Sequence, residues 1–234
     1  MLLFLPGLIC DARTFAAQTQ AFAGSRAVDS YGLANTLEAM ARVALAEADG
    51  AGAERFDLFG HSMGGRVALE VLRLAPDRVR RLALVSTGIH PRGATEPDKR
   101  WTLSRMGHEQ GFAALVDAWL PPMVAPANQG RAELYEPMRA MCLEAGQEAF
   151  DAQISALLGR PEVDALIGAI GCPTLVMTGE LDGWAPPAQH AEIAARIADS
   201  TLVIVPGAGH MLPMEAPAEV NQAIARWLAM PARD

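Results

Sequence analysis

A serine flanked by glycines is the first feature of the sequence that could carry out chemistry. Ser62 lies in the pentapeptide GHSMG at 60–64, after the predicted buried strand Arg55 to Phe59 and before the helix-forming run Val67 to Leu72. A G-x-S-x-G motif between a strand and a helix predicts a nucleophile elbow, a sharp turn that exposes the serine hydroxyl. The flanking glycines are needed because a Cβ there would meet neighbouring backbone. The predicted chemistry is attack of Ser62 on a carbonyl carbon, and the context makes a chance match the weaker interpretation.

A serine hydroxyl is a weak nucleophile unless a base accepts its proton, and that base needs a third group to fix its tautomer. Two later loops supply candidates. Asp182 follows the predicted strand Thr174 to Thr178, and His210 follows the predicted strand Thr201 to Val205. Because the carboxyl ends of parallel strands share one edge of a sheet, we predict Asp182 as the acid and His210 as the base. Glu180 is the alternative acid, which we interpret as a solvated charge at the rim.

The three motifs, taken in this order, resemble those of the α/β-hydrolases of the small, capped kind. They are GHSMGG at 60–65, G-x-x-D-x-x-x-P at 179–186 and GAGH at 207–210. The order serine, aspartate, histidine is that of the α/β-hydrolases and differs from the orders in trypsin and subtilisin. The resemblance implies an α/β fold with a mostly parallel sheet flanked by helices, an inserted helical cap, and no metal or organic cofactor. It also implies that the first two strands of the family are missing.

The resemblance further implies an oxyanion hole formed by the backbone N–H groups of Leu8 and Met63. The family usually has His-Gly before the first of these donors, whereas this chain has Pro6-Gly7. A proline thus replaces the histidine of the family, whereas the glycine is kept. Cys10 follows in the same loop, and we interpret it as a buried thiol without a catalytic role.

Four residues are candidates for the wall of the substrate pocket: Arg66, His90, Trp119 and Trp184. Trp184 is included because it lies two residues after Asp182, although core or cap packing is the alternative for both tryptophans. Of the remaining histidines, His61 is expected to be a structural part of the elbow. We expect His190, on a predicted helix, to be solvated.

Arg66 falls four residues after Ser62, one turn into the elbow helix. A similar Gly-Gly-Arg sequence occurs in the menaquinone-pathway synthases, which eliminate pyruvate with the same triad. There the arginine helps to hold a substrate carboxylate. An exposed helix residue is an equally good interpretation of Arg66 from the sequence.

Strands and helices alternate in residues 1–89 and again in 167–234, which we predict to be the core of a single domain. Prolines punctuate short helical stretches between them, and we predict a helical cap at 90–166. The other predicted elements are a strand Leu2 to Leu5, a helix Asp11 to about Ala23, a strand Arg26 to Ser30, a helix Leu37 to about Glu47, a strand Arg81 to Ser86, and helices Pro187 to about Ala198 and Pro217 to Leu228.

Composition excludes several classes of function. The net charge of −8 comes without any cluster of basic residues, which argues against a nucleic-acid partner. The three cysteines, Cys10, Cys142 and Cys172, lack metal-type spacing and predict free thiols in a reducing compartment. No run is long and apolar enough to cross a bilayer, and Met1 to Leu5 lacks the features of a signal peptide. We therefore expect a cytoplasmic protein without a membrane partner.

The function that these residues favour is a serine hydrolase of esterase type. Its substrate would be a small, partly apolar ester, thioester or lactone, with an acyl-enzyme on Ser62. A serine at the elbow excludes the dehalogenase and epoxide-hydrolase chemistries, which need a carboxylate nucleophile. One alternative is a lyase or synthase of the menaquinone-pathway type acting on an acidic substrate. A second is a non-catalytic ligand-binding protein or scaffold. The oligomeric state, monomer or homodimer, stays open.

Overall fold

The computed structural model describes residues 1–232, which contain one sheet of six strands. The strands are β1 (Leu2–Leu5), β2 (Arg26–Ala27), β3 (Phe56–His61), β4 (Val79–Val85), β5 (Thr174–Gly179) and β6 (Ser200–Val205). Their order across the sheet is β2-β1-β3-β4-β5-β6, and every neighbouring pair is parallel. All carboxyl ends therefore reach one edge, where the loops with the predicted site residues begin.

Helices connect the strands, as parallel pairing requires. Before β4 the helices are α1 (Ala16–Ala21), α2 (Leu37–Gly50) and α3 (Met63–Leu74). Between β4 and β5 they are α4 (Glu96–Gln110), α5 (Phe112–Trp119), α6 (Pro126–Gln129), α7 (Ala132–Leu158) and α8 (Asp164–Gly168). After β5 they are α9 (Pro187–Arg196), α10 (Leu212–Glu215) and α11 (Pro217–Leu228). Gly146, with φ of 80°, interrupts the helical backbone of α7.

Alternate residues of the four central strands β1, β3, β4 and β5 face opposite sides of the sheet and belong to two separate hydrophobic clusters. On one side the rings of Phe4 and Phe15 stack with centroids 4.9 Å apart, Phe59 meets Phe4 edge-on at 5.3 Å, and Trp227 of α11 joins the cluster. The larger cluster joins α2 and α3 to α5 and α7. Both faces of these central strands are therefore covered, which explains why their sequences are largely apolar rather than alternating.

The expected α/β architecture, a parallel sheet flanked by helices, is confirmed, and the closing helix has the predicted bounds. Several elements differ from prediction: α3, for example, begins at Met63 and not at Val67, and β4 begins at Val79 and not at Arg81. The strand expected at Arg26 to Ser30 shrinks to the two residues of β2, at the edge of the sheet. The helix expected from Asp11 begins instead with a 3-10 turn at Ala12–Phe15, which is followed by α1. The segment 26–30 has only two apolar residues, so the strand pattern there is weak.

None of the helices within residues 1–232 combines the length and the apolar character needed to cross a membrane. Between β4 and β5, the described residues 86–173 contain helices and no strand, and the cap at 90–166 stays a prediction.

Candidate active site

The turn between β3 and α3 holds Ser62 in an unusual backbone conformation. Its φ is 56° and its ψ is −120°, a region that costs a non-glycine residue on the order of 1–3 kcal/mol. The glycines of the motif make this turn possible. A Cβ on Gly60 would collide with the carbonyl of Gly64, and a Cβ on Gly64 would collide with the carbonyl of Leu5. The elbow therefore packs so closely against β1 and its own helix that neither Gly60 nor Gly64 has room for a side chain.

The structure brings Ser62, His210 and Asp182 into one hydrogen-bonded line. The Oγ of Ser62 lies 2.8 Å from Nε2 of His210. The Nδ1 of His210 lies 2.9 Å and 2.8 Å from the two carboxylate oxygens of Asp182. A carboxylate only accepts hydrogen bonds, so Nδ1 carries the imidazole proton and Nε2 is left to accept from the serine hydroxyl.

Asp182 is buried, with 2% of its surface exposed, and is held from several sides. The backbone N–H groups of Trp184 and Ala185 donate to Oδ1 at 3.0 Å and 2.8 Å. Burial alone would raise the pKa of Asp182, but the charge and hydrogen bond of His210 and these two N–H donors lower it to about 2. The carboxylate is thus ionised at neutral pH. Glu180 is not hydrogen-bonded to His210. Its carboxylate instead accepts a hydrogen bond from the N–H of Gly207 at the surface.

His61, the residue before the nucleophile, is also buried, with 1% exposed. Its Nε2 lies 2.8 Å from the main-chain oxygen of His210, and since a carbonyl only accepts, Nε2 is the donor. Burial, followed by the charge of His210, lowers the pKa of His61 to about 4. The ring is therefore neutral at neutral pH.

A second support of the elbow was not foreseen in the sequence. Thr87 donates from Oγ1 to the main-chain oxygen of Ser62 at 2.8 Å, and from its N–H to Nε2 of His190 at 3.1 Å. The expectation that His190 is solvated is wrong, since the residue is fully buried. A signal was available in the sequence: His190 precedes the buried Ile193 and Ile197 by three and seven residues, which is helical spacing on one face.

Leu8 and Met63 line the cavity in which the Ser62 hydroxyl lies. Within residues 1–232 the structure gives neither of their N–H groups an acceptor. Gly7 lets the loop approach closely, because a Cβ at this residue would lie 3.1 Å from the Cβ of Ser62. Two free N–H groups beside a serine hydroxyl are the arrangement that oxyanion binding requires.

The cavity above Ser62 has a volume of about 400 Å³. All four predicted pocket residues line it, with Trp184 at the rim and 44% exposed. Its apolar wall comes from Leu103, Trp119, Met123, Phe150, Ile154 and Leu157. Residues 1–232 hold no group of three or more histidine, cysteine, aspartate or glutamate side chains that could bind a metal ion.

A family model described as the alpha/beta hydrolase family matches residues 2–223. The chain belongs to this family. As an α/β hydrolase it shares 32% identity over 202 residues with the dihydrolipoyllysine-residue acetyltransferase component of the acetoin cleaving system of Pseudomonas putida. That match covers 82% of this chain and 50% of the other, so the chain spans half the length of this relative.

Two other relatives of this α/β hydrolase are named as hydrolases. A Caulobacter sp. (strain K31) protein with the provisional name carbamate hydrolase RutD is 30% identical over 191 residues, which cover 77% of this chain and 68% of that one. A thermophilic esterase from Thermogutta terrifontis superposes with a TM-score of 0.86 at 29% identity, covering 97% of this chain and 88% of the esterase. These similarities support a hydrolase of the α/β fold.

Proposed function

We propose that the protein is a serine hydrolase that cleaves a small carboxylic ester, thioester or lactone through an acyl-enzyme on Ser62. The observation that carries this proposal is the hydrogen-bonded line from Ser62 through His210 to Asp182, which opens onto the cavity. A volume of about 400 Å³ suits a small-molecule substrate, and the apolar wall suits one that is partly hydrophobic.

In the first half-reaction Ser62 Oγ bonds to the substrate carbonyl carbon while its proton passes to Nε2 of His210. The carbonyl electron pair moves onto oxygen, and the N–H groups of Leu8 and Met63 hold the resulting oxyanion. Loss of one such donor typically raises a barrier by about 2.7–4 kcal/mol. The oxyanion then collapses, the bond to the leaving alcohol or thiol breaks, and His210 returns the proton to the leaving group.

In the second half-reaction water attacks the acyl-enzyme and gives a proton to His210. The bond to Ser62 Oγ breaks, the serine recovers its proton from His210, and the carboxylic acid leaves. Asp182 stays ionised throughout, because its depressed pKa lets it stabilise the imidazolium without accepting the proton.

A substrate panel with an inactivated variant tests the proposal. Short-chain para-nitrophenyl esters, a thioester, a lactone and a carbamate would be offered to the wild type and to Ser62→Ala. We expect turnover of at least one ester by the wild type and a loss of about 10⁶-fold in Ser62→Ala, as is typical when a serine nucleophile is removed. A fluorophosphonate probe is expected to label Ser62 stoichiometrically. Folded wild type without turnover or labelling would instead support the non-catalytic alternative.

The lyase alternative has one observation in its favour. Arg66, one turn after Ser62 in α3, lines the same cavity and could face an acidic substrate. The test is pyruvate release from the menaquinone precursor, measured beside ester hydrolysis on the same preparation. Pyruvate release without ester hydrolysis would replace the esterase proposal with a lyase.

A further inference from the structure

The loop after β1 carries Leu8, one of the two proposed oxyanion donors, in a tight turn. The N–H of Cys10 donates to the main-chain oxygen of Gly7 at 3.2 Å, so Leu8 and Ile9 are the central residues of this turn. Ile9 has a φ of 48°, in the left-handed region. Glycine or asparagine usually occupies such a position in a turn, because a branched side chain is strained there. The turn that presents Leu8 is therefore not one that its own sequence favours.

The same kind of backbone strain occurs at the nucleophile. Over the described residues 1–232, the non-glycine residues with positive φ are Ile9, Ser62 and Ser86. Ser62 is the proposed nucleophile, and Ser86 lines the cavity beside it. Strain of this kind gathers at functional sites and persists only where the surrounding structure holds it in place. The conformation of Ile9 thus requires a contact from outside the turn.

Gln153, on α7, makes that contact. Its side-chain Oε1 accepts a hydrogen bond from the N–H of Ile9 at 2.7 Å, across 144 positions of the chain. Both residues are buried, with 1% of Ile9 and 4% of Gln153 exposed. A buried N–H that loses its acceptor is costly, so without Gln153 the turn would have to move to satisfy it.

The part of α7 that carries Gln153 also forms part of the cavity. After the interruption at Gly146, the side chains of Phe150, Ile154 and Leu157 contribute to the apolar wall above Ser62. Gln153 is not among the cavity-lining residues of the described chain. Its amide therefore acts on the loop and not on a substrate, although it belongs to the helix that shapes the substrate pocket.

We propose that Gln153 is a positioning residue for the oxyanion hole. By holding the N–H of Ile9, it keeps the turn in the conformation that presents the N–H of Leu8 to the substrate carbonyl. This inference rests on the proposed function. The oxyanion forms only as Ser62 attacks, so the contribution of Gln153 belongs to kcat and not to the binding of substrate.

Two substitutions of Gln153 test this inference in steady-state kinetics. Gln153→Met keeps the size of the side chain but removes the acceptor, whereas Gln153→Glu keeps an oxygen at the same place. In Gln153→Met, kcat for para-nitrophenyl acetate should fall about tenfold or more, with KM within a few-fold of the wild type, because a displaced oxyanion donor weakens only the transition state. Gln153→Glu should recover part of the loss. An unchanged kcat in folded Gln153→Met, or a rise in KM alone, would overturn the positioning role.

Gln147→Met is the matched control, because Gln147 lies on the same helix. Its Nε2 donates to Asp151 of α7 at 2.9 Å and to the main-chain oxygen of Ser104 in α4 at 3.4 Å, away from the loop after β1. This variant should keep kcat within a few-fold of the wild type. An equal loss of kcat in the two methionine variants would show that any disturbance of α7 has this effect, and would reject the specific role of Gln153. If Gln153→Met does not fold, Gln153→Asn, whose acceptor is too short to reach Ile9, takes its place with the same expectation.

Amide hydrogen exchange separates this inference from the proposed function, because it needs no turnover. The N–H of Ile9 should exchange about tenfold faster in Gln153→Met than in the wild type, and at the wild-type rate in Gln147→Met. If the wild type hydrolysed no ester, the proposed function would fail, while faster exchange of Ile9 would still support the hold of Gln153 on the turn. Conversely, unchanged exchange of Ile9 in an active Gln153→Met protein would reject the positioning role and leave the proposed function intact.

Discussion

Nε2 of His61 lies 2.8 Å from the main-chain oxygen of His210 and donates a hydrogen bond to it. The residue before the proposed nucleophile thus holds the backbone of the proposed base. The contact joins the end of β3 to the loop after β6, which are separated by two intervening strands of the sheet. It therefore ties the loop that carries His210 to the turn that carries Ser62.

Removing this contact is expected to slow catalysis without abolishing it. In His61→Ala, kcat for para-nitrophenyl acetate should fall about 10²-fold, because a displacement on the order of 1 Å in a catalytic group has that cost. His61→Gln, which keeps an N–H donor, should recover part of the loss. Steady-state kinetics and the rate of fluorophosphonate labelling measure both effects. An unchanged kcat in a folded His61→Ala protein would contradict the positioning role.

His61 also predicts how stability depends on pH. Its folded pKa is about 4, below the ordinary value of 6.5, so between these values the unfolded chain binds more protons than the native protein. The free energy of unfolding should therefore fall as the pH drops from 6.5 to 4, with His61 contributing on the order of 3 kcal/mol. This loss of stability is complete below pH 4 and absent above pH 6.5.

Urea denaturation at a series of pH values measures this dependence. His190, whose pKa is also lowered by burial, adds a slope of the same sign, so the comparison must be with a variant. His61→Gln should be less sensitive to acid than the wild type. Parallel curves for the two proteins would assign the dependence to other groups.

The residues that could be placed from the sequence are those with a local signature. GHSMG, the loop with Asp182 and the loop with His210 each follow an apolar strand, and a parallel sheet brings the ends of these strands together whatever lies between them. The fold class and the closing helix were predictable for the same reason, because apolar periodicity is a local property.

Contacts between residues far apart in the chain could not be predicted from the sequence. The bond between Thr87 and His190 joins residues 103 positions apart, and the bond between Arg160 and Glu96 joins residues 64 apart. Neither partner has a local pattern that selects the other. α4 is polar along most of its length, so its sequence could not indicate that Glu96 would pair with Arg160 as well as with Arg100 on its own helix.

The choice between the two candidate acids is tested by a matched pair of variants. Asp182→Asn should lower kcat by about 10⁴-fold, since an amide at this place favours the wrong tautomer of His210. The fold should survive, because the amide oxygen can still accept from the N–H groups of Trp184 and Ala185. Glu180→Gln should stay within a few-fold of the wild type. The reverse ranking in ester kinetics would make Glu180 the acid.

The elbow glycines predict a steric effect on stability that is independent of catalysis. A Cβ on Gly64 would meet the carbonyl oxygen of Leu5 and, at 2.7 Å, that of Pro6, and neither backbone group can move without shifting β1. Gly64→Ala should therefore lower the free energy of unfolding by about 3 kcal/mol or more. Gly168→Ala is the control, because Gly168 ends α8 with nothing within 4 Å of an added Cβ. Its stability should lie within about 1 kcal/mol of the wild type, on the stabilising side, since alanine favours a helix. Urea denaturation of both variants decides the matter, and a Gly64→Ala protein as stable as the control would mean that β1 and the elbow are less tightly packed than the structure shows.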